Sequence, residues 1–135
     1  MSALAPFATA STIASAVRSG TVTARAVIEA ALDRAHHSDA SINAFSCVLA
    51  ERALARADAV GASPKGPLAG VPFAVKNLCD LAGHTTLAGA KITANDPPAT
   101  HDADMVQRLE AAGAICIGAL HMGEFAYDFT GENAH

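Results

Sequence analysis

The sequence predicts an α/β fold, and three observations carry that reading. Two short apolar runs, Val71–Val75 and Ala114–Gly118, have the length of buried strands, and β-branched residues recur in both. Between them Met105, Val106 and Leu109 form the stripe of a helix, so the order strand, loop, helix, strand gives a parallel βαβ crossover. Ahead of both strands, residues 1–62 are alanine-rich and mainly helical in pattern. The expected division is one domain over 1–135, with a helical lead-in over 1–62 and the lysine-bearing strand and βαβ unit over 63–135.

In chain order, residues 1–10 read as an irregular lead. Ser11 or Thr12 is the expected cap of a short helix reaching Ser19, with Ile13 and Val17 four apart and Gly20 as its stop. Thr23 caps a stronger helix, Ala24 to His37, whose stripe is Ile28, Ala31, Leu32 and Ala35. Arg25 and Glu29 pair at helical spacing, and the other charges of this helix read as a solvated face. His36 and His37 are expected at the helix end, facing the negative pole of the dipole. Ala44–Val48 reads as a strand, Glu51–Ala59 as a helix, and Gly61–Pro67 as a loop.

Val71 to Lys76 is the stretch with chemical content. Strict alternation puts Val71, Phe73 and Val75 on one face and Pro72, Ala74 and Lys76 on the other. The run is expected to be buried, so it ends on a lysine that must find partners, lose its proton or reach water. A neutral amine acts as a base, whereas a snorkelling ammonium only solvates a strand end; spacing alone leaves both open. Asp80, four residues on, either holds the surroundings of the lysine or caps the next turn.

The small-residue stretch Ala82–Gly89 has no Gly-Lys-Ser/Thr ending and is not a phosphate loop; it reads as backbone packed closely against something, or as an ordinary loop. Thr100 is the expected cap of the next helix, with Asp102 and Asp104 in its first turn and Gly113 at its end. The segment after the second strand has helical spacing over 122–129 and then a polar loop. That second strand is expected to lack a covering element on its C-terminal side, which suggests a truncated domain.

Composition narrows the function. The 135 residues are 51% hydrophobic but only 4% aromatic, without tryptophan, which gives a helix-rich core with few large anchors. The net charge of −4 and the lack of any basic run argue against a nucleic-acid partner. The N-terminus lacks a charged leader, and the longest apolar run, Ala111–Leu120, is too short to span a bilayer, so no membrane partner is expected. Cys47, Cys79 and Cys116 are odd in number and widely spaced, which argues against a disulfide framework and fits small core residues in a reducing cytoplasm. His101, Asp102 and Asp104, or His121 and Glu124, resemble metal-ligand spacings; helix capping and a solvated surface explain them better, and no metal site is assigned.

Leu68–Lys76 followed by Asp80 resembles the lysine segment of the amidase signature family. The resemblance runs over about residues 64–134. Asp102–Gly118 is similar to that family's acidic start, V-x-R-L, A-A-G-A and apolar strand, here Met105 to Ala114 and beyond. Met122, Glu124 and Phe125 stand where the family has M-D-E-F, and Glu132-Asn133 where it has a polar loop carrying an asparagine. Val75-Lys76-Asn77-Leu78, Phe125-Ala126-Tyr127 and Glu132 to His135 look closest to the branch acting on biuret-type and carboxybiuret substrates, near the amidotransferase A subunits.

The resemblance implies the first strands of a mixed amidase sheet behind helices, and amide hydrolysis through an acyl-enzyme. In that chemistry a serine attacks the carbonyl, a second serine on a cis peptide relays its proton, and Lys76 is the base at the far end. Asp80 and Asn133 are then near-site residues, and no cofactor is needed. Three positions depart from the pattern: His121 replaces an asparagine, Gly123 an aspartate, and Asp128 a glycine, changes expected to loosen the loop facing substrate. The Gly- and Ser-rich loop that carries the serines does not occur in these residues, so the chain is expected to be inactive alone. Its partners are then a small amide substrate, once the missing part is supplied, and a protein subunit or second copy. The competing reading is a non-catalytic binding module or subunit on an amidase-like scaffold. A weaker one is a metalloprotein using His101, Asp104 or His121.

Overall fold

The computed structural model describes residues 2–133; Ala134 and His135, part of the C-terminal resemblance, lie outside the described residues. The elements are α1 (Ala10–Arg18), α2 (Ala24–Ile42), β1 (Phe45–Val48), α3 (Ala50–Ala62), β2 (Pro72–Lys76), α4 (Asp104–Ala111), β3 (Ile115–Leu120) and a short 3-10 turn, Glu124–Ala126. The strands form one mixed sheet in the order β1-β3-β2. β2 runs parallel to β3, and β1 runs antiparallel to it. The expected α/β class and βαβ crossover are therefore present.

Several boundaries differ from the sequence reading, each for a local reason. Thr9, not Ser11 or Thr12, caps α1, its side chain accepting from the Thr12 amide at 3.2 Å. Thr23 caps α2 as expected, but the helix runs five residues past His37, until Asn43 takes a left-handed conformation at φ 52°. His36 and His37 thus lie inside the helix rather than at its end, and His37 Nδ1 sits 3.2 Å from the Asp33 carboxylate one turn back. Thr100 caps nothing, because residues 99–103 are hydrogen-bonded back to the loop after β2: the Ala99 amide donates to His84 O and the Ala103 amide to Asp80 O, both at 2.9 Å. Helix α4 starts only at Asp104, with Ala103 in the cap position. Val106 is its fully buried anchor, while Met105, expected in the stripe, is exposed. The helical spacing over 122–129 yields only the 3-10 turn, with Phe125 and Ala126 at positive φ.

Helices cover both faces of the sheet. Ile13, Val17, Val27, Ile28, Ala31, Ala53, Ala57 and Val60 from α1, α2 and α3 pack with Ile115 and Ile117 of β3. On the other face Val106 of α4 packs with Cys116 and Ala119 of β3, Val75 of β2, and Leu49 and Leu81. Alternation in β2 holds for Phe73 and Val75 on the α4 face and Ala74 on the α2–α3 face. Val71 departs from it: it precedes the strand and packs with α2 and α3. β3 is buried along nearly its whole length and paired on both edges, so it is the centre of the sheet and not the uncovered strand expected from its place in the sequence.

Two glycines allow that arrangement. At Gly118, in mid-strand, a Cβ would lie 2.4 Å from Cys47 O, so the close approach of β1 at this point requires a glycine. Gly113, at φ +98°, links α4 to β3 where a Cβ would lie 2.7 Å from Lys65 O and 2.9 Å from Ala69 Cα. The backbone of 66–71 lies against this turn, with Leu68 N donating to Ala112 O, Gly70 N to Gly113 O, and Ile115 N to Val71 O. That contact feeds β2 into register with β3.

Gly113→Ala is expected to destabilise the chain by roughly 1–3 kcal/mol. Gly20→Ala, also at positive φ (+73°) but with nothing within 4 Å of the added Cβ, should cost clearly less. Urea unfolding of the two variants checks this, and equal losses would remove the role of the close approach.

Candidate active site

The candidate site lies at the carboxyl ends of the parallel strands β2 and β3, where open α/β sheets commonly bind ligands. Lys76 is the last residue of β2 and stands opposite Leu120. The chain then turns, with the Cys79 amide donating to Lys76 O at 3.0 Å. Contrary to the expectation of a buried amine, Lys76 is exposed, and no acceptor meets its ammonium among the described residues. β2 is an edge strand, and nothing among the described residues covers the lysine.

The next residue, Asn77, is the buried one, at 5% exposure. Its amide donates to Leu120 O at 3.0 Å and its carbonyl accepts from the Ala88 amide at 2.9 Å, so it ties the loop after β2 to the end of β3. Its side-chain Oδ1 is buried without a hydrogen-bond partner among the described residues. Asp80 accepts from the Thr86 hydroxyl and does not reach Lys76. Its carboxylate thus ties the start of the loop to Thr86.

The small-residue stretch is backbone packed closely, as one of its two readings expected. At Gly89 a Cβ would lie 2.6 Å from Met122 O and 3.0 Å from Asn133 Nδ2. Asn133 Nδ2 donates to both Gly89 O and Met122 O at 2.7 Å, and the Phe125 amide donates to Ala88 O at 2.8 Å. Asn133 thus joins the loop after β2 to the segment after β3. Asn77, Gly89, Lys91, His121 and Asn133 are among the residues around a cavity of about 160 Å³ there. A larger cavity of about 430 Å³ lies among α1, α2 and α3, where Arg25 and Asp58 are already paired at 2.7 Å.

Two of the three departures from the family pattern compensate each other. The Asp128 carboxylate occupies the space that a side chain at Gly123 would fill, and it accepts from the Gly131 amide. An acid is thus still present beside residue 123, delivered from five residues further on.

A feature missed from sequence is the ion cluster that braces the loop from behind. Asp102, expected in the first turn of a helix, instead takes both terminal nitrogens of Arg52, at 2.8 and 2.5 Å, while Arg52 also reaches Glu110 at 3.2 Å. The same Asp102 oxygen accepts from the Ala82 amide at 2.8 Å. Hydrogen bonding to Arg52 holds the Asp102 carboxyl below its ordinary value and raises the guanidinium above its own. The residues are 50 apart in sequence, beyond any periodic signal.

This arrangement defines an α/β protein with a lysine and an asparagine-braced loop at the ends of a parallel strand pair. The Amidase family profile matches residues 26–135, and the chain belongs to that family. It is 53% identical over 124 residues to AtzE, the 1-carboxybiuret hydrolase subunit of Pseudomonas sp. (strain ADP), covering 88% of this chain and 27% of that protein. It is 40% identical over 121 residues to the glutamyl-tRNA(Gln) amidotransferase A subunit of Lacticaseibacillus paracasei (strain ATCC 334), covering 87% of this chain and 25% of that protein. Among solved structures it is similar to an inhibitor-bound vestigial protein complex related to an s-triazine catabolic enzyme, with TM-score 0.89 and 52% identity over 91% of this chain and 28% of that one. It is also similar to a 6-aminohexanoate cyclic dimer hydrolase, with TM-score 0.86 and 27% identity over 99% of this chain and 27% of that one. The chain spans about a quarter of the length of these relatives.

Asp102→Asn is expected to cost about 1–2 kcal/mol at neutral pH, since the pair is only partly buried. The folded carboxyl titrates below the unfolded one, so the unfolded state binds more protons in acid. The contribution is complete above about pH 4 and is lost as pH falls through the folded value. Urea unfolding across that range should show a shallower acid limb in the variant; an unchanged limb would assign the pair no weight.

Proposed function

We propose that this chain contributes the base of an amide-hydrolysing enzyme, with Lys76 accepting a proton relayed from a serine nucleophile that lies outside these residues. The observation that carries the reading is the placement of Lys76: an exposed amine at the end of a parallel strand, beside a loop braced by Asn133, in a chain of the Amidase family. A lysine serves as a base near neutral pH only when neutral, and burial favours that form. Lys76 is exposed here, so the reading assigns its burial to further polypeptide packed over β2, either more of the same chain or a partner protein.

The substrate class follows the relatives. A small urea- or biuret-type amide is favoured by the 53% identity to a 1-carboxybiuret hydrolase subunit. No cofactor enters this mechanism, which needs only a nucleophile, a relay, a base and amides to hold the oxyanion. A cytoplasmic location goes with this reading; no helix among the described residues is long and apolar enough to cross a membrane. Asp80 and Asn133 act through the loop, not on substrate.

Exposed Phe125, Tyr127 and Phe129 favour a second reading, in which the chain is a binding module or subunit that retains the scaffold without the chemistry. A monodisperse monomer with a cooperative melt would support an independent module. Aggregation or binding of an apolar dye would support a piece that needs more protein.

The intact mass of the native polypeptide comes first. If it greatly exceeds 13.6 kDa, that polypeptide should release ammonia from a biuret-type amide, and Lys76→Met should lower kcat by at least about a hundredfold. Full activity in the variant would overturn the assignment. If the mass is near 13.6 kDa, the chain alone should release none, and turnover abolished by Lys76→Ala would overturn the need for outside residues.

A further inference from the structure

Of the three departures from the family pattern, Gly123 and Asp128 fill each other's space; His121, where an asparagine is usual, is left to account for. His121 follows Leu120, the residue opposite Lys76, and its amide donates to Ala44 O at 2.7 Å, which fixes its backbone at the end of β3. Its side chain is half-buried and stands at the cavity of about 160 Å³ between the loop after β2 and the segment after β3. Lys91 stands at the same cavity from the loop side. The turn that carries Lys91 is held by the Thr93 hydroxyl, 2.5 Å from Leu87 O and 2.9 Å from Ala90 O, and by Asn133 on Gly89 O.

Neither the Lys91 ammonium nor the His121 imidazole meets a hydrogen-bonding or ionic partner among the described residues. No Asp or Glu is among the residues that line the cavity. The chain as a whole has 13 acidic residues against 9 Lys and Arg, so this local excess of basic groups runs against its composition. Two basic groups from separate elements, with no counter-charge between them, suit an anion. The cavity is smaller than the roughly 300–1,000 Å³ of pockets that enclose a whole small molecule, so it takes one end of a ligand. Its place sets which end. Asn77 and His121, both lining it, directly follow the paired strand ends Lys76 and Leu120.

We propose that this cavity is a carboxylate subsite, in which Lys91 and His121 hold the anionic end of a small amide whose carbonyl faces the strand end carrying Lys76. The substrate class narrows to short amides with a carboxylate a few bonds from the scissile carbonyl. A carboxylate accepts charge-assisted hydrogen bonds from both groups, whereas a carboxamide of the same size leaves the ammonium unmatched. The placement of the amide end rests on the hydrolase reading of Lys76; the anion contact does not.

The test compares malonamate with malonamide, which differ by a carboxylate against a carboxamide. Binding is read by calorimetry at neutral pH and low salt, in the native polypeptide and in its Lys76→Met variant, which removes the amine at the strand end. Malonamate is expected to bind about tenfold tighter than malonamide in both proteins. Lys91→Met and His121→Leu should each remove most of that preference while malonamide affinity stays the same. Equal binding of the two probes, or no binding of malonamate, would overturn the inference. So would a preference lost in Lys76→Met, which would put the carboxylate on the proposed base, or one undiminished in Lys91→Met, whose exposed side chain the fold does not need. Turnover of a biuret-type amide without the preference would sink the subsite and leave the hydrolase reading standing; the preference without turnover would do the reverse.

Discussion

The parallel pairing of Pro72–Lys76 with Ile115–Leu120 is the constraint on which the rest of this structure depends. A parallel pair cannot be joined by a tight turn, so a long crossover must carry the chain from the end of one strand to the start of the other. Here the crossover includes α4 and the small-residue loop, both lying against the sheet. The pairing fixes the level at which β2 ends and thereby places Lys76 beside Leu120. Helices cover β3 on both faces, which is why β3 is apolar throughout and interrupted only by Gly118, where β1 closes in.

The loop after β2 has few large apolar side chains of its own and is held by polar contacts from three directions. Asn77 ties its start to β3, Asn133 ties Gly89 to the segment after β3, and Asp102 ties Ala82 to Arg52 on α3. Each contact uses backbone groups of the loop that would otherwise need water. The small residues of the loop are what let these groups approach, most clearly at Gly89. A loop held this way gives a fixed wall to the cavity at Asn133.

Membership in the Amidase family and the exposure of Lys76 bear on each other. Under the proposed reading a base needs a dry setting, and the described residues provide the strand end and the braced loop but leave the amine in water. Its edge strand β2 and the exposed aromatic residues 125, 127 and 129 are surfaces of the kind that further protein covers. The Asp128 carboxylate at Gly123 shows that local pattern changes can be absorbed by a neighbour without leaving the space empty.

The sequence by itself determined the elements whose information is local. The βαβ order follows from two apolar runs around a helical stripe, Thr23 is legible as a cap, and the lysine segment carried the family. It also suggested that Ala82–Gly89 was packed backbone. Only the tertiary structure decided where the short polar side chains went. Thr9 caps where Ser11 and Thr12 are equally good candidates, and Asp102 pairs with an arginine 50 residues away instead of facing a helix dipole. Lys76 is exposed at the end of an edge strand, and neither its exposure nor the strand order is contained in the alternation along one strand. Lys91 and His121 share a cavity only because the folded loop after β2 meets the end of β3. Periodicity encodes which face a residue takes; what stands opposite that face depends on contacts between distant segments, which local patterns do not specify.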